Sequence, residues 1–107
     1  MKYLLNSAVI TAPGVYEYSY ISLEEAKQWL QEGNWESTIG YPETAIALSQ
    51  LTGIEIPVNR KQIQMQPHDE ALVFRLTKRL SEPELKGQVG ISNIISNCEI
   101  GLLRRRM

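Results

Sequence analysis

The sequence predicts an α/β (α+β) fold, a small mixed sheet with helices packed on it. Three observations carry this. Val15 to Ile21 alternates, with Tyr16, Tyr18 and Tyr20 on one side and Glu17 and Ser19 on the other, as a half-buried strand does. Ser22-Leu23-Glu24-Glu25 is a capping box that opens a helical pattern. Ala71-Leu72-Val73-Phe74-Arg75-Leu76 is a near-continuous apolar run, the mark of a central strand. Strands that alternate with helices make a layered α/β domain.

The elements follow in order. Lys2 to Asn6 is a short apolar run and predicts a buried strand. Thr11-Ala12-Pro13-Gly14 is turn chemistry before the tyrosine strand. After the capping box, Leu23, Ala26, Trp29 and Leu30 recur at helical spacing, and Gly33 closes the helix. Trp35 to Ile39 reads as a short strand. Gly40-Tyr41-Pro42-Glu43 starts a second helix, with Pro42 suited to its first position and Glu43 and Thr44 to its first turn. Ala45, Ile46, Leu48 and Leu51 are expected to form its apolar face, and Gly53 to end it. Beyond Pro57, a strand is expected from Arg60 to Gln66, with Ile63 and Met65 opposite Gln62, Gln64 and Gln66. Pro67-His68-Asp69-Glu70 is a turn. Thr77 to Leu80 follows the apolar run, Ser81 to Gly90 is rich in turn formers, Ile91 to Ile95 suits one helical turn, and Cys98 to Leu103 is a last strand. There are no repeats and no linker, so residues 1–107 are read as one domain.

Composition narrows function by exclusion. Hydrophobic residues make up 43% and charged residues 21% of the 107 residues, which is globular and not disordered. The single Cys98 rules out an internal disulfide, and a single histidine, His68, rules out a multi-histidine metal cage. Neither metal nor cofactor is expected. Apolar stretches are too short to span a bilayer. Met1 to Asn6 lacks a signal-peptide pattern, so a cytoplasmic location is the default expectation. Asp69 and Glu70 are adjacent and point to opposite faces of an extended chain, so they make a poor carboxylate pair. His68 reads as a solvated turn residue.

The net charge of −1 argues against affinity for long nucleic acids, yet the charges are unevenly spread. Residues 1–53 hold two basic and six acidic groups, and residues 54–107 hold nine basic and six acidic groups. Arg60-Lys61, Arg75, Lys78-Arg79 and Arg104-Arg105-Arg106 form basic clusters. These are either solvated surface charges or a local site for an anion with few phosphates. Two features favour a site. The helix that starts at Tyr41-Pro42 leaves backbone N–H groups open to an anion. Arg79 stands just past a central strand, where open α/β sheets bind ligands and an arginine can grip phosphate with two bonds.

The order of motifs resembles a known family, the small viral and plasmid-borne ring nucleases that act as anti-CRISPR proteins against type III systems. The likeness runs from the opening strand ending at Asn6, through Ser37-Thr38-Ile39-Gly40-Tyr41-Pro42-Glu43-Thr44-Ala45, which resembles the family's Ser-x-Ile-Gly-His-x-x-Thr. It continues through Gly53 and Asn59-Arg60 to Asp69-x-Ala71-Leu72-Val73-Phe74-x-Leu76-x-x-Arg79-Leu80-x-Glu82. The resemblance implies a mixed five-stranded sheet with helices packed on it. It implies a homodimer and a cleft on the two-fold axis that binds cyclic tetraadenylate, cleaved without a metal.

By the same resemblance, Arg79 matches the phosphate-binding arginine, Glu82 the nearby acidic residue and Arg60 a further site arginine. Asn6 and Ser7 match the ligand-proximal first loop. Gly40 and Arg75 complete the expected ligand-binding set. Tyr41 stands where the family has its catalytic histidine, and with Arg79 and Glu82 makes up the expected catalytic group. Tyrosine ordinarily titrates near 10 and histidine near 6.5, so tyrosine is the weaker proton donor at neutral pH. A slow ring nuclease, a protein that holds the ring without cutting it, and an interaction protein that keeps only the fold all remain open on these residues.

Overall fold

The computed structural model describes residues 1–6, 12–76 and 96–107. Among the described residues, five strands and two helices follow one another as β1 (Lys2–Leu5), β2 (Tyr16–Tyr20), α1 (Leu23–Gln31), β3 (Trp35–Ser37), α2 (Pro42–Thr52), β4 (Glu70–Leu76) and β5 (Cys98–Arg105). The strands form one sheet in the order β2-β5-β4-β1-β3. β1 runs parallel to both β3 and β4, whereas β5 is antiparallel to both β4 and β2. The expected mixed five-stranded sheet with helices is therefore what the chain forms. The apolar run makes the middle strand, with Ala71, Leu72 and Val73 fully buried.

The two helices cover one face. Ala26, Trp29 and Leu30 of α1 and Ala45, Ala47 and Leu48 of α2 pack with Leu4, Leu72, Phe74 and Leu102 of the sheet. α1 begins as the capping box requires: the Glu25 N–H donates to Ser22 Oγ at 3.1 Å, and the Ser22 N–H donates to Glu25 Oε1 at 3.3 Å. It ends at Gly33, whose φ of 76° gives the left-handed turn. No basic residue lies in its last turn. Lys2 of β1 supplies that charge instead, donating to the Trp29 and Gly33 carbonyls with its ammonium 4.4 Å from the Trp29 ring centroid.

The apolar face of α2 differs from the sequence reading in one residue. Ile46 is 59% exposed, and Ala47 takes its place in the core. The buried positions Thr44, Ala45, Ala47, Leu48 and Thr52 define one side of the helix, and Ile46 projects from the other.

The opposite face of the sheet is covered by a crossing segment and not by a strand. Ile63 and Met65 pack on Tyr3, Leu5, Ala71, Val73 and Leu103, together with Tyr16 and Tyr18. The expected alternation over residues 60–66 is present, since Met65 is buried while Gln62, Gln64 and Gln66 are exposed. The strand is not. Both edges of β4 are already taken by β1 and β5, and side chains partner this backbone instead. Arg105 donates to the Met65 carbonyl, and the Gln66 N–H donates to Asp69 Oδ2 at 2.8 Å. The single helical turn expected at Ile91 to Ile95 lies outside the described residues.

Candidate functional site

Three parallel strands leave the sheet at the same edge. Asn6 follows β1, the segment 38–41 follows β3, and β4 ends at Leu76, three residues before Arg79 in the sequence. Ligands of open α/β sheets sit at such an edge. A cleft of about 310 Å³ opens there. Asn6, Thr38, Gly40 and Tyr41 line it from the strand ends, and Arg60, Lys61 and Gln62 line it from the segment after α2.

Each wall has a local reason. Thr38 follows β3 and extends its pairing: its N–H and its hydroxyl both donate to the Leu4 carbonyl, at 3.0 and 2.9 Å. Ile39, with no exposed surface, anchors the turn in the core, and the Ile39 N–H donates to Ser37 Oγ. Tyr41 is the N-cap of α2, in extended backbone with φ −112° and ψ 122°, and its side chain caps nothing. The first intrahelical bond runs from the Ala45 N–H to the Tyr41 carbonyl. α2 thus starts at the cleft with no cap from the Tyr41 side chain, at a helix end whose backbone N–H groups favour an anion. Tyr41 is 56% exposed.

The second wall is held against the first. The Asn59 N–H donates to the Ile39 carbonyl at 2.9 Å, and Asn59 Nδ2 donates to the Ser37 carbonyl at 2.8 Å. The next residue, Arg60, lays its side-chain stem over Gly40. A Cβ on Gly40 would come within 3.0 Å of Arg60 Cγ and 3.2 Å of Arg60 Cβ. Lys61 pairs with Glu36 of β3 at 2.7 Å, and this hydrogen bond raises the lysine's pKa above its ordinary value.

The basic clusters have different fates. Arg104 pairs with Glu70 at 2.9 Å, and Arg106 with Glu17 at 3.0 Å. Arg105 donates to the carbonyls of Pro13, Met65 and Met107. Arg75 stands opposite Glu99 in the β4–β5 ladder and pairs with it at 3.0 Å. Arg60 is different: it makes neither a hydrogen bond nor an ion pair with another described residue, and it lines the cleft.

Of the residues singled out in the sequence, Asn6, Gly40, Tyr41 and Arg60 come together at this cleft, although up to 54 positions separate them. Arg75 does not line it. Ser7, Arg79 and Glu82 lie outside the described residues. Thr38, Lys61 and Gln62 join the cleft without having been singled out for it. Thr38 stands inside the Ser37-to-Ala45 motif and Lys61 in the Arg60-Lys61 basic cluster, while the one sequence signal of Gln62 is adjacency to that cluster. Among the described residues no group of three or more His, Cys, Asp or Glu side chains could hold a metal, and no helix is long and apolar enough to cross a membrane.

Comparison with known proteins places the chain in a family. The chain is 42% identical over 86 residues to YddF, an uncharacterized protein of Bacillus subtilis (strain 168), covering 78% of this chain and 80% of that one. It is 38% identical over 88 residues to the uncharacterized protein ORF117 of Acidianus two-tailed virus, covering 78% and 75%. Among solved structures, B116 of Sulfolobus turreted icosahedral virus superposes with a TM-score of 0.78 over 95% of this chain and 97% of that one. At 20% identity, this last likeness shows a common fold. Residues 2–97 match the profile of the STIV B116-like family, and the chain belongs to that family.

Proposed function

We propose that this chain binds cyclic tetraadenylate in the cleft at the carboxyl edge of β1, β3 and β4. A second copy closes the site across a two-fold axis, and the bound ring is opened slowly without a metal, which antagonises type III CRISPR signalling. The observation that carries the reading is the convergence of Asn6, Gly40, Tyr41 and Arg60 on one cleft beside the start of α2. Those four positions also carry the sequence resemblance to ring nucleases. The chemistry suits a small polyanion. Arg60 has no competing carboxylate among the described residues, and the first turn of α2 offers backbone N–H groups. Two-fold symmetry would present two such sets to a ring of four phosphates.

The reaction is an in-line displacement. A ribose 2′-hydroxyl loses its proton, the 2′-oxygen bonds the adjacent phosphorus, and the bond from phosphorus to the 5′-oxygen breaks. The 5′-oxygen then takes up a proton, leaving a linear product that ends in a 2′,3′-cyclic phosphate. In this reading Arg79 neutralises the phosphorane charge, Glu82 is the acidic group beside it, and the Tyr41 hydroxyl hydrogen-bonds the departing oxygen. A phenol is a weaker acid than an imidazolium, so turnover is slow.

A second reading, capture of the ring without cleavage, is favoured by the same Tyr41, a tyrosine where a ring nuclease has histidine. Incubation of pure protein with radiolabelled cyclic tetraadenylate tests both. Linear product under single-turnover conditions supports cleavage, and a shifted band holding intact ring supports capture. The absence of both product and shift refutes the assignment of the cleft.

A further inference from the structure

We infer that Asn59 is a positioning residue that acts on the ligand only through Arg60, with Gly40 as the seat on which Arg60 lies. Arg60 cannot be placed by its own partners, because it has none among the described residues. Its position is set from behind and from below. Behind it, Asn59 hooks the chain to the β3–α2 connection twice, through its backbone N–H to the Ile39 carbonyl at 2.9 Å and through Nδ2 to the Ser37 carbonyl at 2.8 Å. These carbonyls are two residues apart on one extended segment, so the pair of bonds fixes both distance and direction. Below it, Gly40 has no side chain, and the Arg60 methylenes lie close against the place a Cβ would take. A Cβ at position 40 would meet Arg60 Cγ at 3.0 Å, tighter than ordinary van der Waals contact, so the stem would have to give by a few tenths of an ångström. The guanidinium is thereby carried to the cleft beside Tyr41 with no acidic group among the described residues to hold it, which leaves its donors available to phosphate.

This rests on the reading of the cleft as the ring site, and the experiment separates the two. Affinity for cyclic tetraadenylate is measured for wild type, Asn59→Ala, Gly40→Ala, Arg60→Ala and the two double variants with Arg60→Ala. Asn59→Ala keeps the backbone hook and so keeps the fold. It should weaken binding about five- to tenfold, the loss of one hydrogen bond's worth of positioning. In the Arg60→Ala background, either substitution should change affinity by less than about twofold, because the group they position is gone. An equal loss in both backgrounds overturns the inference, since Asn59 would then act on the site independently of Arg60.

A ligand-free measurement runs beside it. Nuclear Overhauser contacts between the Arg60 side-chain methylenes and the Gly40 α-protons should be present in wild type and lost in Asn59→Ala. Their persistence in Asn59→Ala overturns the positioning role. If wild type fails to bind the ring at all, the ring assignment falls and these contacts alone decide the role of Asn59.

Discussion

Arg60→Ala is the substitution that separates a ligand cleft from a decorated surface. Arg60 lines the cleft and is without a hydrogen bond or ion pair to any described residue, so its removal breaks no internal contact of that kind. Fold stability should stay within about 0.5 kcal/mol of wild type. A charge-assisted hydrogen bond to phosphate contributes about 1.5–3 kcal/mol. The side chain is exposed, and solvent screening favours the lower end of that range. In the proposed two-fold dimer two copies meet one ring, so about 3 kcal/mol is lost in all, roughly a hundredfold in Kd. The dependence of log K on log salt should also become shallower, by about 0.7 for each lost contact to a single-stranded phosphate. Arg104→Ala and Arg106→Ala serve as matched controls: each removes the same charge, but from a guanidinium bound to Glu70 or Glu17. Ring affinity of these controls should move by no more than about twofold. Isothermal titration across a salt series reads all three. Equal losses for Arg60→Ala and the controls, with one common salt slope, would mean that only overall charge matters and that the cleft is not the site.

Other outcomes follow from single features. Tyr41→His should raise single-turnover cleavage by up to about 10²-fold, the low end of what a matched general acid contributes; an unchanged rate would show that position 41 is not at the departing oxygen. Gly101→Ala should lower stability by about 1–3 kcal/mol in thermal or urea melts, because a Cβ there overlaps the Tyr18 phenol and the ring must leave its packed place. Burial pushes the Cys98 thiol up to about 11, with the Glu99 charge adding to it, so at pH 8 native Cys98 should react with iodoacetamide about 100-fold more slowly than in the unfolded chain. The sign for stability follows from proton linkage. The unfolded thiol gives up its proton near pH ~8.5, while the folded one keeps it until about 11, so this contribution is complete below pH ~8.5 and declines above it. Cys98→Ala should flatten the fall of the melting temperature between those pH values.

Legibility in the sequence followed range. The capping box at Ser22, the glycine stops at Gly33 and Gly53, and the apolar run of β4 are written within a few adjacent residues, and each forms as its local chemistry predicts. The crossing segment at 60–66 shows where local pattern stops being sufficient. Alternation places Ile63 and Met65 inward, but whether a strand forms depends on a free neighbouring edge, and β1 and β5 hold both edges of β4. Ile46 is a similar case, since composition marks it as apolar and only the position of the sheet decides which side of α2 is covered. The cleft was half legible. Asn6, Gly40, Tyr41 and Arg60 stand in motifs, whereas Thr38, Lys61 and Gln62 enter it through pairing of β1 with β3 and the hooks of Asn59, contacts that join residues 22 to 34 positions apart.

The same range effect resolves the uneven charge of the chain. Counted along the sequence, an acidic first half faces a basic second half, and a polyanion should be repelled by the first. Folded, part of this imbalance is paired off: Glu17 with Arg106 and Glu36 with Lys61 join the halves, while Glu70 with Arg104 and Glu99 with Arg75 neutralise the second from within. The field near the cleft is then set by the cations left over, not by the net charge of −1. Arg60 is such a cation, and its neighbour Lys61 shares the cleft while tethered to Glu36. A long nucleic acid needs a continuous basic track, and these pairings interrupt the basic residues among those described, whereas the proposed small ring needs only a few donors at one spot. In the proposed reading a compact anion meets Arg60, which among the described residues has no carboxylate, while the β4–β5 and β2–β5 registers keep Arg75, Arg104 and Arg106 on Glu99, Glu70 and Glu17.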